Sequence, residues 1–396
     1  MLASGDRSKR LAAALSTACL AVLIAACGRG AGTTTDTQPA GAAPSRQPAA
    51  TSESVNLIDL TAPDLGLIGL GTGAQGNGSA RLVVSLDNGR SFSAIGPATA
   101  AGTATDDAFF LNREDGWFAV FNTGTSAETL YRTTNGGRVW HSSGAPEHVQ
   151  AAGSQDTVQF VSAERGWLLS VQPTGPLELL AMTADGGATW QVVASLHPSG
   201  GEGLLPVLGL VQFTSTMTGW LGGGQYGKAL YRTSDGGRTW QYVKVPAPAG
   251  SVFGLPSIFG TTLVEPVTTG TSLALYRSTD GGTHWSELSA LTDADAGAGC
   301  STGPLSVSLP TAQVGWLATV RMRHTVVYRT TDGGLHWIRI GTSWAVPADS
   351  CEAPVIQATD ALHAWLLTAG TSRVYATGNG GATWTRIDPA ALAAGG

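Results

Sequence analysis

The chain has 396 residues, of which 13% are charged, and its formal net charge is −6. A charge-poor, acidic composition excludes nucleic acid as an expected ligand. The four Cys form no CxxC pair and sit beside no clustered His, so no metal site and no cofactor is expected.

In chain order, residues 1–26 read as a signal peptide and stay outside the fold. Arg7, Lys9 and Arg10 form its basic head, and Leu11 to Ala26 its apolar stretch. The segment ends in Ile24-Ala25-Ala26-Cys27, which resembles a bacterial lipobox and makes Cys27 the expected lipidation site. A plain transmembrane anchor is the alternative, but the apolar run is short and stops at small residues beside a Cys. Several acyl chains on Cys27 would anchor the protein where one chain would not. Removing residues 1–26 leaves 19 Lys and Arg against 27 Asp and Glu, with only two Lys. Residues 27–53 follow as a flexible linker rich in Ala, Thr, Gly, Pro and Ser and without an aromatic residue. The expected location is therefore the extracytoplasmic face of a bacterial envelope membrane, or the periplasm.

Residues 54–390 repeat. Seven octapeptides of the form (Ser/Thr)-x-(Asp/Asn)-x-Gly-x-x-(Trp/Phe) recur 45 to 52 residues apart, centred on Asp87, Asn135, Asp185, Asp235, Asp280, Asp332 and Asn379. The short acidic or amide side chain tightens the bend, the glycine supplies positive φ, and the closing aromatic buries against its neighbour. A β-rich run precedes each turn, as in Leu230-Tyr231-Arg232, and an alternating run follows, as in Trp240-Gln241-Tyr242-Val243. Upstream, Gly116-Trp117, Gly166-Trp167, Gly219-Trp220, Gly315-Trp316 and Ala364-Trp365 each open another short strand, behind a further apolar segment. Gly66-Leu67 and Thr262-Leu263 are read as the same position in the first and fifth repeats. Each unit is thus four strands, A to D, with the octapeptide at the C–D turn. The prediction is an all-β fold, a single seven-bladed β-propeller of four-stranded antiparallel blades. Eleven of the twelve Trp fall at two repeating positions, which assigns them to packing between blades. The first and last blades each hold four strands, so the ring should close without a strand borrowed from the other terminus.

Cys300 and Cys351 fall in equivalent D-to-A loops of adjacent blades and are expected to form a disulfide in an oxidising compartment. Trp344 is the one Trp outside the repeat and shares its loop with Asp349, Cys351 and Glu352. The neighbouring B–C hairpin carries Arg321, Arg323 and His324. An exposed Trp with Arg nearby is the composition of a binding hot spot. The competing reading folds Trp344 over the loop as a cover for Cys351, and burial is the commoner fate of Trp. Arg132, Arg232, Arg277 and Arg329, which precede four of the turns, recur at one position and so read first as packing residues.

The octapeptides resemble those of the BNR/Asp-box superfamily, whose members include sialidases, sortilin-type receptors, xyloglucanases and photosystem II stability/assembly factor-like propellers. The chain looks most like the last group, single lumenal or periplasmic propellers that are often lipidated. That resemblance implies a non-catalytic, monomeric scaffold holding an envelope or membrane protein. It also associates an arginine-rich surface with partner contact. The alternative is a carbohydrate-binding or glycoside hydrolase-like surface propeller of sialidase or xyloglucanase type, with a glycan as ligand. Against it, no Arg-Ile-Pro precedes the first turn, and the chain holds one propeller where xyloglucanases pair two. The loop carboxylates Glu202, Asp293, Asp295, Asp349 and Glu352 are not aligned as a glycosidase pair would be. No catalytic residue is assigned.

Overall fold

The computed structural model describes residues 53–62, 65–72, 79–122, 127–143, 157–171, 178–196, 210–222, 230–270, 272–291, 306–321, 324–340, 346–347, 354–368 and 373–387. They form seven antiparallel sheets in chain order, the blades of an all-β propeller. Cys27, Cys300, Cys351 and the expected signal and linker segments up to residue 52 lie outside the described residues.

Blade three shows the plan. Strands A (Thr157–Phe160), B (Gly166–Val171), C (Glu178–Thr183) and D (Gln191–Leu196) pair in that order. Strand A is buried at every residue, whereas strand D starts exposed. A strand covered on both faces reads as a continuous apolar run, and a half-covered one alternates. Strand B begins with Gly166 because its register partner is Phe160, and a Cβ there would press into the Phe160 ring. In blade seven the partner is Ala358, and Ala364 fits instead.

The C–D turns share one hydrogen-bond pattern. In blade three the Gly187 N–H donates to Thr183 Oγ1 at 2.9 Å, and that hydroxyl donates to Asp185 Oδ1 at 2.8 Å. The Thr189 N–H donates to the same Oδ1 at 2.9 Å. The same three bonds recur around Asp87, Asn135, Asp235, Asp280, Asp332 and Asn379. Gly187 sits at φ 97°, which a side chain would strain. The Thr189 hydroxyl and N–H and the Thr183 hydroxyl hold the Asp185 carboxyl down to about 2. Burial between blades completes each unit: Trp167 stacks on Phe213 of blade four at 3.6 Å between centroids and 3° between planes. Trp117 stacks on Phe160 in the same way, at 3.5 Å and 7°.

Blade one and blade seven are each continuous in the chain, and among the described residues no strand crosses between the termini. Side chains close the ring instead. The Leu60 N–H of blade one donates to Gln357 Oε1 of blade seven. Trp365 Nε1 donates to Asn88 Oδ1 at 3.1 Å, and Asn88 Nδ2 donates to the Thr377 carbonyl at 3.3 Å. Asn88 stands at φ 59°, where later turns carry Gly, and Asn tolerates that left-handed conformation.

Blades five and six depart from four simple strands. The inner edge of blade five is two short pieces, Val252–Phe253 and Ser257–Phe259, both paired with Thr262–Thr269. The expected alignment of its strand B shifts by one residue. Leu263 pairs with Ser278 and Val264 with Arg277, so Leu263-Val264 occupies the Gly-Trp position, not Thr262-Leu263. Without a Gly-Trp pair, composition alone left that register open. In blade six, Val346–Pro347 adds a fifth strand beside strand C (His324–Thr330).

Candidate functional site

The arginines before the turns are built into the seams. Arg132 lies over the Trp117 ring at 5.6 Å and donates to the Ala163 carbonyl of blade three at 2.9 Å and the Asp185 carbonyl at 3.3 Å. Arg232 lies over Trp220 at 5.5 Å and donates to the Gly281 carbonyl of blade five at 3.3 Å. Arg329 lies over Trp316 at 5.8 Å and donates to Ala361 and Gly380 of blade seven at 3.1 and 3.0 Å. A guanidinium sandwiched between an indole and a neighbour's carbonyls is a packing element, with its apolar stem covered. Arg277 differs. Its strand partner is Val264 in place of Trp, so no indole lies beneath its guanidinium as Trp220 lies beneath that of Arg232, although both side chains are exposed.

The surface around the sixth blade is assembled by the backbone. Strand B (Gly315–Arg321) and strand C meet at a tight hairpin in which Arg321 and His324 are register partners. His324 is exposed. His324 also pairs with Pro347, and Thr325 with Val346. The chain after strand D of blade six thus returns to the tip of the B–C hairpin. Residues 344 and 349 flank that returning strand in sequence. Trp344, Arg323, Asp349 and Glu352 themselves lie outside the described residues, as do Glu202, Asp293 and Asp295. Among the described residues no group of three His, Cys, Asp or Glu could hold a metal ion.

Sequence reasoning missed a set of polar side chains on the inner strands. Gln159 of blade three donates from Nε2 to the Phe213 carbonyl at 2.9 Å and accepts the Phe213 N–H at 2.6 Å, clasping one residue of blade four. Asp107 of blade two accepts the Val158 N–H at 2.8 Å. Ser306 and Ser308 of blade six accept from Ile356 and Ala358 at 3.0 Å each. Thr105 of blade two donates to the Leu70 carbonyl of blade one at 2.9 Å. Gln357 makes the corresponding bond at the closing seam. A polar residue inside an apolar strand, opposite a Trp, was the available signal: Gln159 pairs with Trp167 and Gln357 with Trp365.

Against known proteins, residues 259–392 match the profile of the family described as photosynthesis system II assembly factor YCF48. That stretch is about a third of the chain and spans blades five to seven. Comparison with curated proteins gives no match. Among solved structures, the GH74 xyloglucanase of Xanthomonas campestris is similar at 18% identity and a TM-score of 0.56, over 84% of this chain and 53% of that one. The chain therefore spans about half the length of that enzyme. YCF48 bound to D1 peptide is similar at 20% identity and a TM-score of 0.46, over 71% of this chain and 81% of that one. YCF48 from Cyanidioschyzon merolae gives 17%, 0.48, 72% and 85% for the same quantities. Over residues 259–392 this BNR-type propeller is thus similar to the photosystem II assembly factor family.

Proposed function

We propose that the protein is a membrane-tethered, extracytoplasmic propeller that binds an envelope or membrane protein as a non-catalytic assembly scaffold. The observation that supports this reading most is the family match over residues 259–392, which includes the blade-six hairpin and the strand that returns to it. A ring of blades that presents a hairpin tip with a strand returned to it suits capture of a partner surface. Chemistry would need convergent, aligned groups. In this reading Arg321, Arg323 and His324 supply polar and charged contacts, and Trp344 supplies the apolar anchor. Asp349 and Glu352 border them, a Cys300–Cys351 disulfide holds the loop, and a lipid on Cys27 sets the location. Fold likeness to a xyloglucanase says nothing of activity here, since one propeller architecture carries many functions.

The test is crosslinking co-purification from native membranes, with wild type beside a Trp344→Ala/Arg323→Ala variant. A stoichiometric protein partner that is lost with the variant supports the scaffold and its site. No protein partner, together with retention of the chain on a glycan array, would replace the reading with the carbohydrate-directed one.

A further inference from the structure

Blade four meets blade five without the clasp that joins blade three to blade four. Gln212 of blade four is the register partner of Trp220. Trp220 packs with Leu263, Val267 and Tyr276 of blade five, so Gln212 faces that blade. Glu265 lies between Leu263 and Val267 on the same face of its strand, and so points back toward blade four. Both side chains are wholly enclosed, at 0% exposure. Neither amide atom of Gln212 and neither carboxyl oxygen of Glu265 has a hydrogen-bond partner.

The local backbone matches this pattern. The inner edge of blade five breaks between Phe253 and Ser257, opposite Glu265 and Pro266. Gly222 of blade four lies against the Gly254 carbonyl, with room for no side chain. The outer part of the seam is tied, by Arg232 to Gly281 and by Trp220 against Gly282. The inner part carries two buried polar side chains with no hydrogen-bond partner beside its apolar contacts.

We propose that blade five is the movable segment of the ring. Gln212 and protonated Glu265 form a neutral latch at its inner edge, and loss of the Glu265 proton releases it. An amide and a neutral carboxyl each carry a donor and an acceptor, so a small shift or one shared water satisfies both. A carboxylate in the same place would be an unpaired buried charge. The other charged or titratable groups facing the seam do not meet that need. Arg232 is committed to Trp220 and Gly281, while the Tyr276 hydroxyl donates to Glu287 at 3.5 Å. Burial pushes the Glu265 carboxyl well above its ordinary range, and the nearby Gly254 amide opposes this without completing a hydrogen bond. Opening hydrates Glu265 and returns it to the ordinary range. The open form therefore binds fewer protons, and raising the pH favours it.

The inference rests on the seam itself and not on the proposed partner. Hydrogen exchange of the full chain between about pH 5 and pH 8 tests it, each rate being divided by the chemical exchange rate at that pH. Peptides covering Leu210–Phe213 and Val252–Val267 should show an opening constant that rises with pH, at most about tenfold per unit. Peptides from blade three should stay level, and E265Q should flatten the blade-five profile. A wild-type blade five that tracks blade three, or an E265Q profile with the wild-type slope, overturns the proposal. Glu265→Leu is a second arm, expected to protect the seam at every pH. If that variant fails to fold, E265Q still decides, because it keeps the shape of the side chain.

Discussion

Blades three and five share one turn pattern and one strand order, yet they hold their neighbours by different means. Blade three sends Trp167 onto Phe213 and clasps the Phe213 backbone through both ends of the Gln159 amide. Blade five has Val264 at the Trp position, an exposed Arg277 and a split inner strand, and it receives no clasp from Gln212. The octapeptide therefore fixes where each hairpin folds, while the residues between octapeptides decide how firmly one blade grips the next.

The largest effect should come from Trp167→Ala. It empties a fully buried stack and should cost about 3–5 kcal/mol, read from the urea midpoint. Val264→Ala should cost less than half of that, and equal losses would break the contrast between the blades. Next, Gln159→Leu orphans the N–H and C=O of Phe213 and should cost about 2–4 kcal/mol. Gln212→Leu breaks no backbone clasp and takes away only the latch partner of Glu265, so it should cost less than Gln159→Leu in the same titration.

The turns come third. Asp185 sits at about 2 in the fold, against roughly 3.9 for a free Asp. Its contribution is complete above about pH 4 and is lost as the pH falls through about 2. Asp185→Asn keeps the Oδ1 acceptor, as Asn135 and Asn379 do in their own turns, so the variant should fold. It should also flatten part of the acid slope of thermal stability between pH 4 and pH 2. The smallest effect is expected at the arginines. Arg132→Ala loses two carbonyl contacts and its place over Trp117, about 1–2 kcal/mol, whereas Arg277→Ala should stay within about 0.5 kcal/mol. A larger loss at Arg277 would assign it a structural partner.

Much of this was legible in the sequence. The octapeptide names its own turn, because Thr183, Asp185 and Gly187 each answer a local backbone demand. The Gly-Trp dipeptides gave the second strand, since a bulky inner-strand partner such as Phe160 permits only Gly beside it. The fifth blade was misaligned by one residue because Leu263 and Val264 carry no such mark. The clasps were missed because a Gln within an apolar run declares its partner only when a distant strand is brought beside it. The blade-six surface was legible in part. Arg321 and His324 fall on a hairpin as the strand pattern implies, but the return of Val346–Pro347 to its tip is a nonlocal pairing.

The closing seam carries one more consequence. Blade seven grips blade one through Gln357 and Trp365, as blade three grips blade four through Gln159 and Trp167, and no strand is shared between the ends among the described residues. The ring thus has no privileged starting point. A circular permutant that joins the two ends of the propeller and opens between blades three and four would keep seven whole blades and every clasp, with Gln159 then closing the ring as Gln357 does now.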